Sequence, residues 1–270
     1  MTLFQGLLDF FDSKKNYSFK YFEVHLTEHC NLNCQSCFHF SPLAKEEYAD
    51  LTTFENNFKR LSILSNGKIE SLILMGGEPL LHPKVTSFFE IARKYFPNAY
   101  IQLVTNGVLL NEQPVSFWEL MQKYNIILRP TKYPINIDWE QIEKMALNYN
   151  IKVEYFNDIK ISCKIPICIN GMLDGVRNYK SCCCTVCRML SKGKIYPCVI
   201  AANIHHFIKY YNIDIENSPL NGIDIYEAKD IYEIDKFLKK QIPLCKYCNG
   251  SGYRLYKKWA ISKKDINEWI

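Results

Sequence analysis

From Tyr21 to Phe156 the chain alternates short β-rich runs with helical stretches, and that alternation leaves few folds open. Runs rich in branched and aromatic residues occupy Tyr21–Leu26, Ile69–Met75, Ala99–Val104, Ile126–Arg129 and Ile151–Phe156. Between them apolar residues recur at helical spacing: Phe54, Phe58, Leu61 and Leu64 in one stretch, Val85, Phe88, Ile91, Ala92 and Tyr95 in the next. Thr52 with Glu55 and Asp138 with Gln141 each fit a capping box, and Pro83 suits a first helical turn. Repeated strand–helix units imply a parallel sheet with helices outside it, open or rolled into a full or partial barrel.

After Phe156 the pattern changes, and residues 161–187 are dense in Cys, Gly, Asn and Lys without a clear period. The sequence divides into a helical segment over 1–20, an α/β core over 21–160, and a cysteine-rich extension over 161–270. In the extension a hairpin is expected around Gly193–Cys198, a helix around Tyr232–Lys240, and a final helix beyond Cys245-Lys-Tyr-Cys248. The paired His205-His206 reads as strand, with the two rings on opposite faces and no shared ligand role.

In a parallel sheet or barrel, ligands gather where the strands end and the βα loops converge. Three unusual loops fall there. Cys30-Asn-Leu-Asn-Cys34-Gln-Ser-Cys37 follows the first strand, Gly76-Gly77-Glu78-Pro79 the second, and Thr105-Asn106-Gly107 the third. Three thiolates leave an iron–sulfur cube one protein ligand short, so one iron stays open to a substrate or cofactor. The glycines let backbone approach closely, and Glu78 offers an acceptor for an ammonium. The competing reading of the cysteines alone is a zinc site completed by His29 or His39. His25 and Glu23 alternate on the first strand and face inward, and Arg129 ends the fourth strand at the rim that bears the cysteine loop.

Twelve cysteines could indicate disulfides. Met1–Asp12, however, lacks a basic leader region and carries acids in its apolar face, so it reads as an amphipathic helix and not a signal peptide. No apolar run approaches the ~20 residues that span a bilayer. A cytoplasmic chain is expected, in which clustered cysteines bind metal more often than they pair. The net charge of +5 is scattered, with no basic block of the kind that binds nucleic acid or a membrane surface.

A CxxxCxxC loop after the first strand, GGEP after the second and TNG after the third resemble the radical S-adenosylmethionine (AdoMet) enzymes. The resemblance covers about Tyr21 to Phe156 and, more weakly, the extension. It implies a partial (β/α)6 TIM-like barrel in an α/β fold, with a [4Fe-4S] cluster on Cys30, Cys34 and Cys37. AdoMet would be chelated at the fourth iron and cleaved reductively to a 5′-deoxyadenosyl radical that takes hydrogen from substrate. The resemblance further implies cofactor contacts at Gly76, Gly77, Glu78 (for the methionine amine), Asn106 and Gly107, and a flavodoxin or ferredoxin as electron donor. Ser36 stands where many members have an aromatic residue, with Phe38 one place later, which bears on how adenine is stacked.

Gly193 followed after four residues by Cys198, with Cys245-x-x-Cys248 downstream, resembles the SPASM/twitch-type auxiliary-cluster extension of some of these enzymes. A second [4Fe-4S] cluster would sit on four cysteines. Cys183 is taken as the first, with Cys182, Cys184 and Cys187 as alternatives, and Cys198, Cys245 and Cys248 complete the set. A structural zinc on the same thiolates is the competing reading. The segment from Cys187 to His206 also looks like family members associated with surface-polysaccharide biosynthesis. That likeness favours a small sugar-like or cyclitol substrate over a peptide, the other substrate class of such enzymes; a non-catalytic metal-stabilised binding protein is the alternative outside enzymology. No catalytic residue is assigned.

Overall fold

The computed structural model describes residues 19–156, 159–249 and 255–270, apart from the side chain of Cys183. The segment expected as an N-terminal helix, 1–20, lies almost wholly outside them. Four strands, β1 (Phe22–Thr27), β2 (Ser71–Gly76), β3 (Tyr100–Thr105) and β4 (Ile127–Pro130), run parallel in the order β4-β3-β2-β1. Helices α1 (Leu51–Ser65), α2 (Val85–Tyr95), α3 (Val115–Lys123) and α4 (Trp139–Asn148) make the crossovers. The sheet stays open. It is the expected α/β architecture, a partial barrel that does not close.

The fifth expected strand is reduced. Ile151–Phe156 follows β4 through hydrogen bonds such as Glu154 N to Leu128 O (2.9 Å), but registers only as an isolated bridge, Leu128 with Val153. Among the described residues no strand pairs beyond it. The sheet instead grows past β1. A short β6 (Met189–Ser191) pairs parallel to β1, then turns into antiparallel β7 (Lys194–Tyr196) and β8 (Ile223–Asp224). This is the hairpin expected around Gly193, and both turn residues, Lys192 and Gly193, have positive φ (47° and 76°), as a two-residue hairpin turn requires. A separate pair joins β5 (Ile161–Lys164) to β9 (Leu255–Lys258).

The two faces of the main sheet differ, and the site depends on that difference. Phe22, Val24 and Leu26 of β1, with Leu72, Leu74, Ile101, Leu103 and Leu128, bury against Phe54, Phe58, Leu61, Phe88 and Trp118 of the helices. A parallel sheet covered on both faces reads as continuous apolar runs. Here the inward positions of β1, β3 and β4 are Glu23, His25, Gln102 and Arg129, the first three of them buried. Burying that many polar groups is costly unless they serve each other or a ligand.

Local signals behaved unevenly. Asp138 caps α4 by accepting from Gln141 N (3.0 Å), as expected. The cap of α1 is not Thr52 but Asp50, which accepts from both Thr53 N and Thr53 Oγ1 at 2.8 Å, because the chain leaves an extended conformation two residues earlier. Helix α2 starts at Val85 behind Lys84, so Pro83 precedes the helix rather than opening it. In the extension, α5 (Gly175–Ser181), α6 (Val199–Tyr211) and α7 (Ile231–Leu238) follow; α7 is the helix expected near Tyr232. His205 and His206 lie in α6, not on a strand. The final helix is replaced by β9 and one 3-10 turn at Ile266–Glu268.

A second core holds the extension to the site. Phe40 and Leu43, just past the cysteine loop, pack with Ile204 and Phe207 of α6 and with Trp269.

Candidate active site

Glu78 is the keystone of the rim. It is fully buried, and its carboxylate accepts from Thr105 Oγ1 (2.7 Å), Asn106 N (2.8 Å) and Leu80 N (3.0 Å). The first two tie the GGE loop to the TNG loop, and the third caps the turn at Pro79–Leu81. Burial still pushes its pKa up to about 7, against the pull of those donors. The motif suggested a carboxylate offered to an ammonium. In the structure the buried carboxylate bonds to the protein at three donors.

Both glycines of the loop are demanded by the approach to β1. A Cβ on Gly77 would fall 2.0 Å from His29 O, and one on Gly76 would fall 2.4 Å from Thr27 O. The approach is stitched by Gly77 N to Thr27 O (2.8 Å), Glu78 N to His29 O (3.0 Å) and Thr27 Oγ1 to Glu78 O (2.8 Å). Gly107 has φ +83° and lies against the Trp139 ring, which a Cβ would strike at 2.6 Å. Asn106 turns its amide toward the cysteine loop, donating to Asn31 Oδ1 (2.7 Å) with Cys30 Sγ at 3.7 Å. The second and third loops therefore converge on the first.

Cys30, Cys34 and Cys37 are half-buried and face this convergence. Burial raises Cys30 to about 12, helped by the Glu78 charge, and Cys34 to about 11, helped by Cys37. Such thiols stay protonated at neutral pH unless a cation binds them, and a coordinating metal removes the proton outright. The Tyr133 hydroxyl and the Trp259 indole N–H both approach Cys34. Trp259 Nε1 is buried and, among the described residues, makes no hydrogen bond of normal geometry. A buried donor without a proper acceptor, beside three thiols of high pKa, is what an iron–sulfur cluster would satisfy. The donor set fits that group.

Behind the loop lies a buried polar chain. Glu28 Oε2 accepts from His25 Nδ1 (3.1 Å) and from His206 Nε2 (3.0 Å), and His25 Nε2 accepts from His39 Nδ1 (2.7 Å). Desolvation opposes ionisation of Glu28, but the two imidazoles outweigh it and hold the carboxyl well below its usual range. Burial lowers His39 to about 3. These partners could not be read from sequence. His206 reaches Glu28 only because α6 crosses the inner side of the sheet. A cavity of about 250 Å³ between β1, α1 and the β6–β7 turn opens onto His25 and Glu28 from the outside.

His205, next along α6, carries a pH consequence. Burial lowers its pKa from 6.5 to about 4, and its Nε2 has no partner. Between pH 6.5 and 4 the unfolded chain takes up a proton that the native ring refuses, so stability falls as pH falls through that window. Allowing for its partial exposure, the loss is on the order of 1–2 kcal/mol. Urea unfolding at about pH 7.5 and about pH 4.5 should show a smaller acid loss in His205→Gln than in the parent, and equal losses would refute the assignment.

Deeper on the inner face, Tyr21 donates to Glu23 Oε1, while Glu23 Oε2 is buried with no partner among the described residues. Desolvation raises the Glu23 pKa. Arg129 donates to Gln102 (2.6 Å) and stacks over Phe156 at 4.8 Å, so it faces inward rather than forming a surface ion pair.

A second group of thiols meets in the extension. Cys182, Cys198, Cys245 and Cys248 line one small cavity with Tyr179 and Ile200. Burial raises Cys198 to about 12, with Cys182, Cys245 and Cys187 adding to it. The side chain of Cys183, the expected first of the four, lies outside the described residues; among the described side chains Cys182 lines the cavity with the other three, and Cys187 lies close enough to act on Cys198. Among the described residues no three His, Cys, Asp or Glu side chains converge on one ion-sized point.

Residues 24–138 match the family model described as the Radical SAM superfamily. This region is similar to the radical SAM superfamily, and the match covers less than half of this chain. Among curated relatives, the GTP 3′,8-cyclase of a Sulfurovum species is 32% identical over 90 residues, which is 33% of this chain and 28% of that protein. The enzyme of the same name from Nautilia profundicola is 31% identical over 106 residues, 39% of this chain and 32% of its own. The match therefore spans about a third of the length of these relatives. Among solved structures, BtrN in complex with AdoMet and 2-DOIA is similar over 88% of this chain and 99% of its own, with TM-score 0.56 and 19% identity. A histidine-tagged anSMEcpe with bound AdoMet is similar over 85% of this chain and 82% of its own, with TM-score 0.52 and 16% identity. These likenesses establish a shared fold. No helix among the described residues is long and apolar enough to cross a membrane.

Proposed function

We propose that this chain is a radical AdoMet enzyme acting on a small sugar-like or cyclitol substrate. The convergence of Cys30, Cys34 and Cys37 on the Glu78-bridged loops carries the reading. When bound there, a [4Fe-4S] cluster with AdoMet supplies the 5′-deoxyadenosyl radical that abstracts hydrogen, its electron coming from a flavodoxin or ferredoxin. The chain's own residues position and enclose. Glu78 locks two loops together, Asn106 sets the cysteine loop, and Gly76 and Gly77 let backbone approach without side-chain interference. The polar inner face, where Glu23 Oε2 is buried without a partner among the described residues and Arg129 bonds to Gln102, supports a compact polar substrate rather than a peptide.

A second [4Fe-4S] cluster on Cys182, Cys198, Cys245 and Cys248 is part of the proposal, as an acceptor for an electron released by the substrate. A lone zinc draws its thiolates to about 2.3 Å from one point, whereas a cube takes thiolates spread over a wider body. Anaerobically reconstituted protein should be brown, bleach with dithionite and release 5′-deoxyadenosine from AdoMet; a colourless protein with no such product would remove the enzyme reading. Cys248→Ala is expected to lose about half the iron and to cleave AdoMet without substrate turnover. Full turnover by that variant counts against the second cluster.

A further inference from the structure

The cysteine loop is held from outside by a segment more than two hundred residues away. Gln35 N donates to Ala260 O (2.8 Å), Ser262 N to Asn33 O (2.7 Å), Ser36 Oγ to Glu268 O (2.8 Å) and Trp269 Nε1 to Cys37 O (3.0 Å). Asn33 and Ser36 both have positive φ (50° and 60°), conformations that cost energy for residues with side chains and persist only when neighbours impose them. The bonds to the segment fall at or beside those two residues.

The segment is itself rigid. The Glu268 carboxylate, nearly fully buried, accepts from Lys263 N (2.7 Å) and from the Ser262 hydroxyl, closing 262–268 into a compact turn. Trp269 packs on Phe40 and Phe207, and Trp259 lies against Tyr133 with ring centroids 5.7 Å apart. Within this frame the Trp259 N–H is buried, without an acceptor of normal geometry, and directed at Cys34.

We infer that segment 259–270 is the outer wall of the cluster site and that Trp259 is a positioning residue whose indole N–H hydrogen-bonds the sulfur at the Cys34 corner. The inference rests on the cluster reading above and deepens it. A hydrogen bond to a cluster sulfur stabilises the more negative, reduced state and raises the reduction potential. The burial of the Trp259 N–H and its missing acceptor are then accounted for together.

Trp259→Phe keeps a ring against Tyr133 and removes only the donor. In the reconstituted protein, the EPR signal that changes on adding AdoMet should titrate at a more negative potential in Trp259→Phe, with iron content unchanged. The same potential in both proteins overturns the donor role. Ser36→Ala, which breaks one tie to the wall without touching a thiol, should release iron to an Fe(II) chelator several-fold faster; an unchanged rate overturns the wall. Parent protein that takes up no iron would overturn the function itself, whereas iron-loaded protein with unmoved potentials defeats only this inference.

Discussion

Cys34→Ala is expected to yield protein that takes up no cluster at the first site and forms 5′-deoxyadenosine only at background level. A cube anchored by three thiolates has one iron open to begin with, and removing a ligand opens a second to water. Two side chains of the loop are engaged elsewhere. Ser36 is turned to Glu268 O, and the His39 Nδ1 is committed to His25. Burial raises the remaining thiols, Cys30 to about 12, which favours their protonated state once the metal is gone. Cys163→Ala, on β5 in the extension, is the matched control and should load iron as the parent does. The check is iron and sulfide content, with product quantified chromatographically. Cleavage near the parental rate in Cys34→Ala would exclude the proposed site.

Gly77→Ala is expected to have the largest effect on folding. Its Cβ would sit 2.0 Å from His29 O and 2.3 Å from His29 C, and both are backbone atoms that cannot rotate away. Relief requires parting the GGE loop from the end of β1, at the cost of Gly77 N to Thr27 O and Glu78 N to His29 O. The Glu78 carboxylate, which spans to Thr105 and Asn106, would be dragged from its donors while still buried. Strain of this kind together with broken buried hydrogen bonds belongs with the severe substitutions, about 4 kcal/mol or more. For a chain of this size that is a fall in melting temperature of roughly 10 °C. A shift under about 2 °C would show that the loop tolerates separation and that the glycines serve ligand approach alone.

Both predictions rest on residues that stand out in the sequence, but the reasons differ in origin. The three loops could be placed at strand ends because period-2 and helical periodicities mark where each strand stops, and special residues follow each stop directly. Cys30, Cys34 and Cys37 are close in sequence, so their grouping is local information. The same holds for the β6–β7 hairpin, where turn chemistry at Lys192-Gly193 is enough, and for Asp138 as a cap. Capping failed at α1 because Asp50 and Thr52 are both competent caps, and only the path of the incoming chain selects between them. The strand reading of His205-His206 failed because short apolar runs suit strand or helix equally, and packing on Phe40 decided for helix. Ile151–Phe156 has strand composition but only one neighbour to pair with.

What the sequence determined by itself is therefore whatever a few consecutive residues settle: strand ends, turns, and the grouping of three cysteines in one loop. What only the tertiary structure decided are the pairings across large separations. It made Glu78 a bridge between loops, brought His206 to Glu28, gathered Cys182, Cys198, Cys245 and Cys248 around one cavity, and laid Trp259 against Cys34. Side chains that far apart in the chain carry no mutual signal in one sequence. Their contacts exist because burying two apolar faces fixes where the backbone must run, and the polar groups bond to whatever that path brings near.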